Sequence, residues 1–380
     1  MRNTSLDRTS TSQARDLLAE LVGYASPSGS EGELADFVER WLADRGHGTD
    51  RLGNTVVARL AGDDPGPTLL LNSHLDTVPA GEGWTADPWA AEWTGDRLVG
   101  LGANDAKGCV AAMLLAFQAL AESPEGRGSG RIVLSLHAEE ETSNAGMGEY
   151  LRAFGPPDAS ITGEPTGLEV IRSQAGLAVL ELVWRGRGCH AAHVARVEHK
   201  NALLLAAREL AQLPDWMTPG PEHALLGAST VVVTQLSSGS VHNKVPDLAQ
   251  AVVDARIVPP TTAEDCVEFL AQRLPRAEVR LRSSRLGPVD TEETDGLVAC
   301  ALRAAGKVRA VGSTTLSDMA LLPEHVPAIK CGPGETARSH TPNEFLLESE
   351  LMDGVRFYER CAREWMHAAG AVRVTGEGGL

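Results

Sequence analysis

The sequence predicts an α/β protein built from a larger domain and a smaller domain inserted into it. A chain of 380 residues is too long for one ordinary hydrophobic core, so two domains are expected. Within residues 175–284 the predicted order of elements is strand, helix, strand, strand, helix, strand, which is the ferredoxin-like arrangement. The larger domain is therefore predicted to comprise residues 1–174 and 285–380.

The first part of the larger domain is predicted from apolar spacing and turn residues. Ser30 and Glu33 fit a capping box, and apolar residues follow them at helical spacing. The run 69–71 is all leucine, which indicates a buried strand. Residues 1–12 are polar and are expected to be frayed. We predict helices at 13–22, 34–42, 109–121 and 145–154, and strands at 54–60, 68–71, 131–136 and 159–162.

The inserted segment and the return to the larger domain follow the same reasoning. Alternating apolar residues predict strands, and apolar residues three and four apart predict helices. In the insertion we predict strands at 176–185, 229–235, 248–257 and 278–281, and helices at 199–213 and 263–274. After it we predict a helix at 293–304, a strand at 326–331, a closing helix at 347–364 and a loose tail.

Composition excludes several classes of function. The formal net charge is −17, and no basic face is visible, which argues against a nucleic-acid partner. No apolar run is long enough for a membrane span, and the first residues lack the apolar core of a secretory signal. The six cysteines are scattered without a C-x-x-C pair, so buried thiols in a reducing compartment are expected. These features predict a cytoplasmic protein without a membrane partner.

The leucine strand is followed by two side chains that suit a metal site. His74 and Asp76 are two residues apart, so on an extended chain both point the same way. Open α/β sheets carry their chemistry just past the carboxyl ends of strands. A carboxylate beside a histidine there can orient its ring for metal binding. A plain surface pair at a strand end is the competing interpretation of this stretch.

Four further sites in the larger domain carry possible metal ligands. Asp105 precedes a predicted helix, where it could also be a simple cap. Residues 139–141 are three consecutive glutamates at a strand end; a solvated loop is the alternative. Glu164 follows another strand, and His340 lies beyond a glycine-rich turn. Imidazole and carboxylate ligands without thiolates suit Zn²⁺, Co²⁺ or Mn²⁺, and two ions could share one carboxylate.

Taken together, these stretches resemble the M20 metallopeptidases. That family includes acetylornithine deacetylase, succinyl-diaminopimelate desuccinylase, LysW-lysine hydrolases and glutamate carboxypeptidases. The resemblance covers nearly the whole chain, and five motifs in the same order carry it. They are residues 73–79 (SHLDTVP), 102–108 (GANDAKG), 139–141 (EEE), 163–166 (GEPT), and 332–334 (GPG) with 339–344 (SHTPNE).

The resemblance implies a role for each matched residue. It implies a zinc-peptidase-like larger domain, with His74 and Glu164 on one zinc and Glu141 and His340 on the other. Asp105 would bridge the two ions, and a cis peptide bond would follow it. The remaining implied roles fall to Asp76, which would orient His74, and to Glu140, which would be the general base.

The resemblance also implies that the inserted domain makes a homodimer. His190 would reach the partner's site and help to hold the oxyanion, with His193 as a rival for that role. Asn243, Arg256 and Gly334 match positions that would contact substrate. For Arg256, a salt bridge within the sheet is an equally good interpretation.

The same comparison leaves the substrate open. The arginine that often follows the motif around Asp318 is absent, and Leu101 replaces the arginine of a Gly-Arg-Gly motif. We expect removal of an N-acyl group from an amino acid, of the acetylornithine or carrier-protein-linked lysine type. A dipeptidase, an aminoacylase or a glutamate carboxypeptidase is the alternative within the family.

Two interpretations of another class remain at this stage. The chain could be a metal-free relative that only binds its ligand, although it retains every candidate ligand and the base. It could also use Ser339 or Cys331 with His340 as a nucleophile, although no G-x-S-x-G elbow supports this.

Overall fold

The computed structural model describes residues 6–122 and 128–376. Its α-helices are α1 Leu6–Gly23, α2 Gly32–Ala43, α3 Lys107–Ala121, α4 Ala145–Phe154, α5 Ala202–Leu210, α6 Ala263–Arg273, α7 Gly296–Ala305 and α8 Glu348–Gly376. Its strands are β1 Thr49–Leu52, β2 Thr55–Ala61, β3 Asp64–His74, β4 Trp93–Thr94, β5 Arg97–Val99, β6 Ser129–His137, β7 Ala159–Thr162, β8 Ile171–Gln174, β9 Gly176–Arg185, β10 Thr230–Ser238, β11 Leu248–Ile257, β12 Ala277–Leu286, β13 Val289–Asp290, β14 Val311–Ser313, β15 Ala328–Lys330 and β16 Phe345–Leu347.

The chain divides into two compact units. The first contains the residues up to Arg172, then Thr291–Val311, and the chain from Ser317 onward. The second contains Ser173–Asp290 and the short segment Gly312–Leu316. The sequence placed the insertion at 175–284, so the second unit begins earlier, ends later and includes a segment that was assigned to the larger domain.

The first unit is built on a mixed sheet flanked by helices, as the sequence predicts. Its path runs β1-β2-β6-β3-β7-β15. The inner strands β6, β3, β7 and β15 are parallel, and β1 and β2 are antiparallel at one edge. Helix α3 is buried along most of its length, because it is apolar on nearly every face. Parallel inner strands bring the carboxyl ends of β3, β6 and β7 to one edge of the sheet.

The second unit has the predicted β-α-β-β-α-β order. Strands β9, β10, β11 and β12 form an antiparallel sheet in the order β10-β11-β9-β12, and α5 and α6 are its helices. Alternate residues of β9 and β11 are buried, and they pack with both helices in a separate apolar core. This alternation is why the sequence located these strands well.

Two local predictions are wrong. Helix α1 begins at Leu6, so the segment 6–12 is helical rather than frayed; residues 1–5 and the tail at 377–380 lie outside the described part of the chain. The capping box at Ser30 is not formed, because α2 is capped by Glu31, which makes no side-chain cap bond. The Glu31 carboxylate instead accepts hydrogen bonds from Gly29 N, Glu139 N and Asn54 Nδ2.

Within the described helices, none combines the length and the apolar character needed to cross a membrane.

Candidate active site

Three parallel strands deliver the candidate ligands to one edge of the sheet. Strand β3 ends at His74, β6 ends at His137 just before the three glutamates, and β7 ends two residues before Glu164. Register pairs His74 with His137, so β3 and β6 end at the same level, and it pairs Asn72 with Thr162, so β7 ends two residues earlier and Glu164 follows in the next turn of chain. Asp105 lies just before α3, and the Asp105–Ala106 peptide bond is cis, as predicted.

The first ligand group consists of His74, Asp105 and Glu164. One ligand atom from each lies within 4.8 Å of the others. His74 Nε2 is 3.2 Å from Asp105 Oδ1, and the His74 side chain is buried. An imidazole and two carboxylates this close together form a donor set that suits a divalent ion such as Zn²⁺.

The second ligand group consists of Asp105, Glu141 and His340, again with ligand atoms within 4.8 Å of one another. His340 Nε2 is 2.9 Å from Glu141 Oε1 and 3.8 Å from Asp105 Oδ2. Asp105 thus belongs to both groups, as a bridging carboxylate would. The His340 side chain is 51% exposed and its φ is +57°, so this ligand comes from a strained loop at the surface.

Asp76 is buried, but it contacts His74 mainly through its backbone. His74 Nδ1 lies 3.0 Å from the Asp76 carbonyl oxygen and 3.4 Å from its Oδ1. The Asp76 carboxylate instead accepts hydrogen bonds from the backbone of the glutamate loop, from Glu140 N on Oδ1 and from Glu141 N on Oδ2. Ser28 Oγ also donates a hydrogen bond to Oδ2. Asp76 therefore fixes the backbone of the glutamate loop as well as the His74 ring.

Two glutamates of the site, Glu140 and Glu164, hold protons unusually tightly. Burial, together with the Glu164 carboxylate, raises the pKa of Glu140 well above its usual range. Burial and the neighbouring Asp105 carboxylate raise the pKa of Glu164 to about 8. Burial disfavours the charge on His74, yet its contacts with Asp105 and Asp76 raise its pKa. Carboxylates crowded in this way fit a site built around cations, which would remove their mutual repulsion.

The structure places the predicted residues of the inserted segment in the second unit, on its surface. His190 is exposed; its Nδ1 accepts a hydrogen bond from Ala192 N, and its ring lies 5.4 Å from that of His193. Asn243 is also exposed, and its backbone carbonyl oxygen accepts a hydrogen bond from Ala191 N. The roles of these residues stay predictions.

Arg256 and Gly334 have structural partners. Arg256 forks onto Asp254, with Nε–Oδ1 2.9 Å and Nη2–Oδ2 3.3 Å, which is the salt bridge that the sequence left as an alternative. Gly334 has a φ of +85°, and a Cβ there would lie 2.3 Å from Asn104 Oδ1. Its lack of a side chain is explained by the close approach of Asn104; a substrate contact stays a prediction for both residues.

Sequence reasoning missed a layer of buried residues behind the ligands. The buried side chains of Glu31, Asn104 and Glu344 bind the backbones of ligand-bearing loops. His137 Nδ1 lies 2.7 Å from Asp318 Oδ2, and both residues are buried. Asn104 and Glu344 lie inside matched motifs and Asp318 lies in another, which marked their positions but not these contacts. Glu31 and His137 gave no signal.

Comparison with known proteins identifies the family. Residues 70–364 match the model of peptidase family M20/M25/M40. The chain belongs to this family. A putative LysW-lysine/LysW-ornithine hydrolase from Aeropyrum pernix is 32% identical over 361 residues, which cover 91% of the chain and 94% of the relative. An acetylornithine deacetylase from Edwardsiella ictaluri is 28% identical, covering 87% of the chain and 92% of the relative.

Solved structures of the M20 fold agree with this architecture. Aminopeptidase PepT from Bacillus cereus superposes with a TM-score of 0.75 at 21% identity, covering 94% of the chain and 98% of PepT. YXEP from Bacillus subtilis, described as a dinuclear metal binding M20 peptidase, also has a TM-score of 0.75, at 18% identity, covering 96% and 99%. With its curated relatives named as hydrolases, this M20 chain is a metal-dependent hydrolase of amide C–N bonds.

Proposed function

We propose that the chain is a dinuclear amidohydrolase that removes an N-acyl group from an amino acid. The observation that carries the proposal is the pair of ligand groups that share Asp105. Glu140 is adjacent in sequence to Glu141 of the second group, and its backbone is fixed by Asp76. One site thus combines ligands for two ions with a carboxylate able to move protons.

Each residue of the site has a distinct role in this proposal. His74 and Glu164 would hold one ion, Glu141 and His340 would hold the other, and Asp105 would serve both. The ions, when bound, polarise the substrate carbonyl and make water acidic enough to attack near neutral pH. Zn²⁺ is the proposed native ion, with Co²⁺ or Mn²⁺ as substitutes that the same oxygen and nitrogen donors accept.

Glu140 moves the proton. It takes a proton from the attacking water as the new C–O bond forms, and it gives that proton to the nitrogen as the C–N bond breaks. Water is thereby divided between the products, with OH on the acyl group and H on the amine. His74 is held by Asp76 in the orientation that presents Nε2 to the ion, because Nδ1 is occupied by the Asp76 carbonyl oxygen.

The proposed substrate is an N-acyl amino acid with a free carboxylate, or an amino acid linked to a carrier protein. Support comes from four relatives named as LysW-lysine or LysW-ornithine hydrolases and an acetylornithine deacetylase, which align over 87% or more of this chain. We also propose a cytoplasmic homodimer in which His190 of a second copy stabilises the oxyanion. The exposure of His190 on the second unit is compatible with that role.

Metal content and turnover test the proposal together. Purified protein should contain about two metal ions per chain, lose activity on chelation, and recover it with Zn²⁺ or Co²⁺. A panel of N-acetylornithine, other N-acyl amino acids, dipeptides and carrier-linked lysine would rank the substrates. Two bound ions without turnover of any N-acyl or carrier-linked amino acid would contradict the substrate class, and failure to bind metal would overturn the whole proposal.

A further inference from the structure

We propose that Asn104 and Glu344 form a reciprocal clamp that positions the two ligand loops against each other. Asn104 is the residue before the bridging ligand Asp105, and Glu344 lies four residues after His340. The side chain of each one binds the backbone of the other loop. The inference rests on the proposed metal centre, since the clamp acts on two of its ligands.

Asn104 holds the loop that carries His340. Its side chain is fully buried, and its Oδ1 accepts Glu335 N at 2.9 Å. Its Nδ2 donates to Glu335 O at 3.1 Å and to Ser339 Oγ at 3.3 Å. The amide therefore pairs both backbone groups of Glu335 and also contacts the residue before His340. Gly334 allows this approach, because any side chain there would collide with Asn104.

Glu344 holds the loop that carries Asp105. Its carboxylate is buried, and Oε1 accepts both Asn104 N and Asp105 N at 2.8 Å. The backbone of Glu344 adds a third link, because its carbonyl oxygen accepts Gly100 N at 3.0 Å. Two consecutive backbone N–H groups share one buried oxygen, so Glu344 anchors the backbone at the bridging ligand Asp105.

The His340 loop needs such an anchor. The His340 ring is about half exposed and contacts the carboxylates of Glu141 and Asp105, which are ligands themselves. Its position must therefore be fixed through its backbone, which is in the left-handed region at both His340 and Asn343. Asn343 receives a further link, since Thr85 donates to its Oδ1 from both N and Oγ1. Residues that orient metal ligands without touching the ion change metal affinity by about 10- to 100-fold.

Titration with Co²⁺, followed by absorption, tests the clamp without any substrate. Two reference variants, His340→Ala and His74→Ala, identify which binding step belongs to which ion. One binding step should be lost in His340→Ala. In Asn104→Ala the affinity of that same step should fall by about 10- to 100-fold, and the affinity of the other step should stay close to that of the unaltered chain. Glu344→Ala should weaken both steps, because Asp105 is shared. Glu344→Gln keeps an oxygen that can accept both N–H groups, so it should retain more affinity than Glu344→Ala.

A matched control separates positioning from general stability. Asn201→Ala removes a helix cap in the second unit, where Asn201 Oδ1 accepts Leu204 N, and it should weaken neither step. Hydrogen exchange of peptides covering 100–108 and 332–345 should quicken in Asn104→Ala and Glu344→Ala but not in Asn201→Ala.

Three outcomes would overturn the clamp. Two metals bound by Asn104→Ala and Glu344→Ala with unaltered affinity would overturn it and leave the proposed function standing. Equal weakening in all variants, the control included, would show a general loss of stability. Failure of the unaltered chain to bind Co²⁺ would overturn the proposed function together with the clamp.

Discussion

At the scale of single residues, the site is organised by buried carboxylates that accept backbone N–H groups. The Glu31 carboxylate accepts a hydrogen bond from Glu139 N. The Asp76 carboxylate accepts hydrogen bonds from Glu140 N and Glu141 N, so the backbone N–H of each of the three consecutive glutamates is bonded. This matters because Glu139 has a φ of +56°, which a residue other than glycine rarely adopts. The buried acceptors stabilise the bend that directs Glu140 and Glu141 to their separate tasks.

Replacement of the proposed base tests that division of tasks. Glu140→Gln should lower kcat by about 10²- to 10⁴-fold, since glutamine is close in shape but cannot take the proton from water. Metal content should stay at the level of the unaltered chain, because Glu140 belongs to neither ligand group.

The neighbouring glutamate is the matched control for this measurement. Glu139 accepts a hydrogen bond from Ser143 Oγ and lies outside both ligand groups. Glu139→Gln should keep most of kcat when assayed on the same substrate at the same metal loading. Near-full activity in Glu140→Gln would remove Glu140 from the mechanism.

Metal binding should release protons, and its affinity should rise with pH. Donation of a hydrogen bond to the Glu141 carboxylate raises the pKa of His340 to about 9, and burial raises the pKa of Glu164 to about 8. In the metal-free chain both groups therefore hold protons at pH 7, and a metal ion must displace them. Affinity should increase as pH rises toward about 9, by about tenfold per pH unit for each proton displaced.

Calorimetry in buffers of different ionisation enthalpy measures this release. The heat of Zn²⁺ binding at pH 7 should vary with the buffer, and the variation gives the number of protons. In His340→Ala the number should fall, because one of the protonated ligands is missing. A heat that is the same in every buffer would contradict the raised pKa values of both ligands.

The residues that the sequence located best are those at strand ends. His74 and Glu164 follow apolar strands, and parallel pairing brings such positions together. Asn104 and Glu344 lie inside matched motifs, but nothing in the sequence indicates what they bind, because the backbone groups they contact are 231 and 239 residues away. A side chain that binds a distant backbone leaves no periodicity or spacing in the sequence.

At the scale of elements, length and alternation decided which elements could be predicted. The predicted bounds of β9 and β11 match the observed ones, since burial alternates along all of β11 and along the first part of β9. Strands β4 and β13 have two residues each, and β5 and β16 have three, too short for any period to appear. Their pairing is set by tertiary contacts rather than by local sequence.

Helix caps show why local patterns can mislead. Ser30-x-x-Glu33 fits the capping-box pattern but forms no cap, because Glu31 occupies the N-cap position of α2 and its carboxylate serves the active site. Thr262-x-x-Asp265 has aspartate where the usual pattern has glutamate, yet its capping box is complete. Distant contacts thus override a good local pattern in one case and leave a weaker one intact in the other.

The Thr262 cap gives a prediction for the second unit. Thr262 Oγ1 accepts Asp265 N at 3.1 Å, and Asp265 Oδ2 accepts Thr262 N at 2.8 Å. Thr262→Ala should lower the free energy of unfolding by about 1 kcal/mol, measured by urea denaturation. Thr262→Ser keeps the hydroxyl and should cost much less. Equal losses in the two variants would show that the methyl group, not the cap, stabilises α6.

At the scale of the whole molecule, the candidate metal ligands and the ferredoxin-like insertion lie in different units. Both candidate ligand groups among the described residues lie in the first unit. Their residues stand at the end of β3, in the loops after β6 and β7, just before α3, and between β15 and β16. The second unit has an apolar core of its own, formed by its sheet and by α5 and α6. Metal binding should therefore stabilise one unit directly and leave the internal packing of the other unchanged.

Metal removal followed by hydrogen exchange tests this separation. Zn²⁺ at 100 times its dissociation constant should stabilise the folded chain by about 2.7 kcal/mol for each site. The added protection should appear in the peptides of β3, β6 and β7, whose carboxyl ends lead to the ligands, and peptides of β9 and β11 should exchange at unaltered rates. In His340→Ala the gain should be smaller, because one ion lacks a ligand. Equal protection of both sheets would mean that the two units unfold as a single cooperative body, and the effect of metal could not then be assigned to the first unit alone.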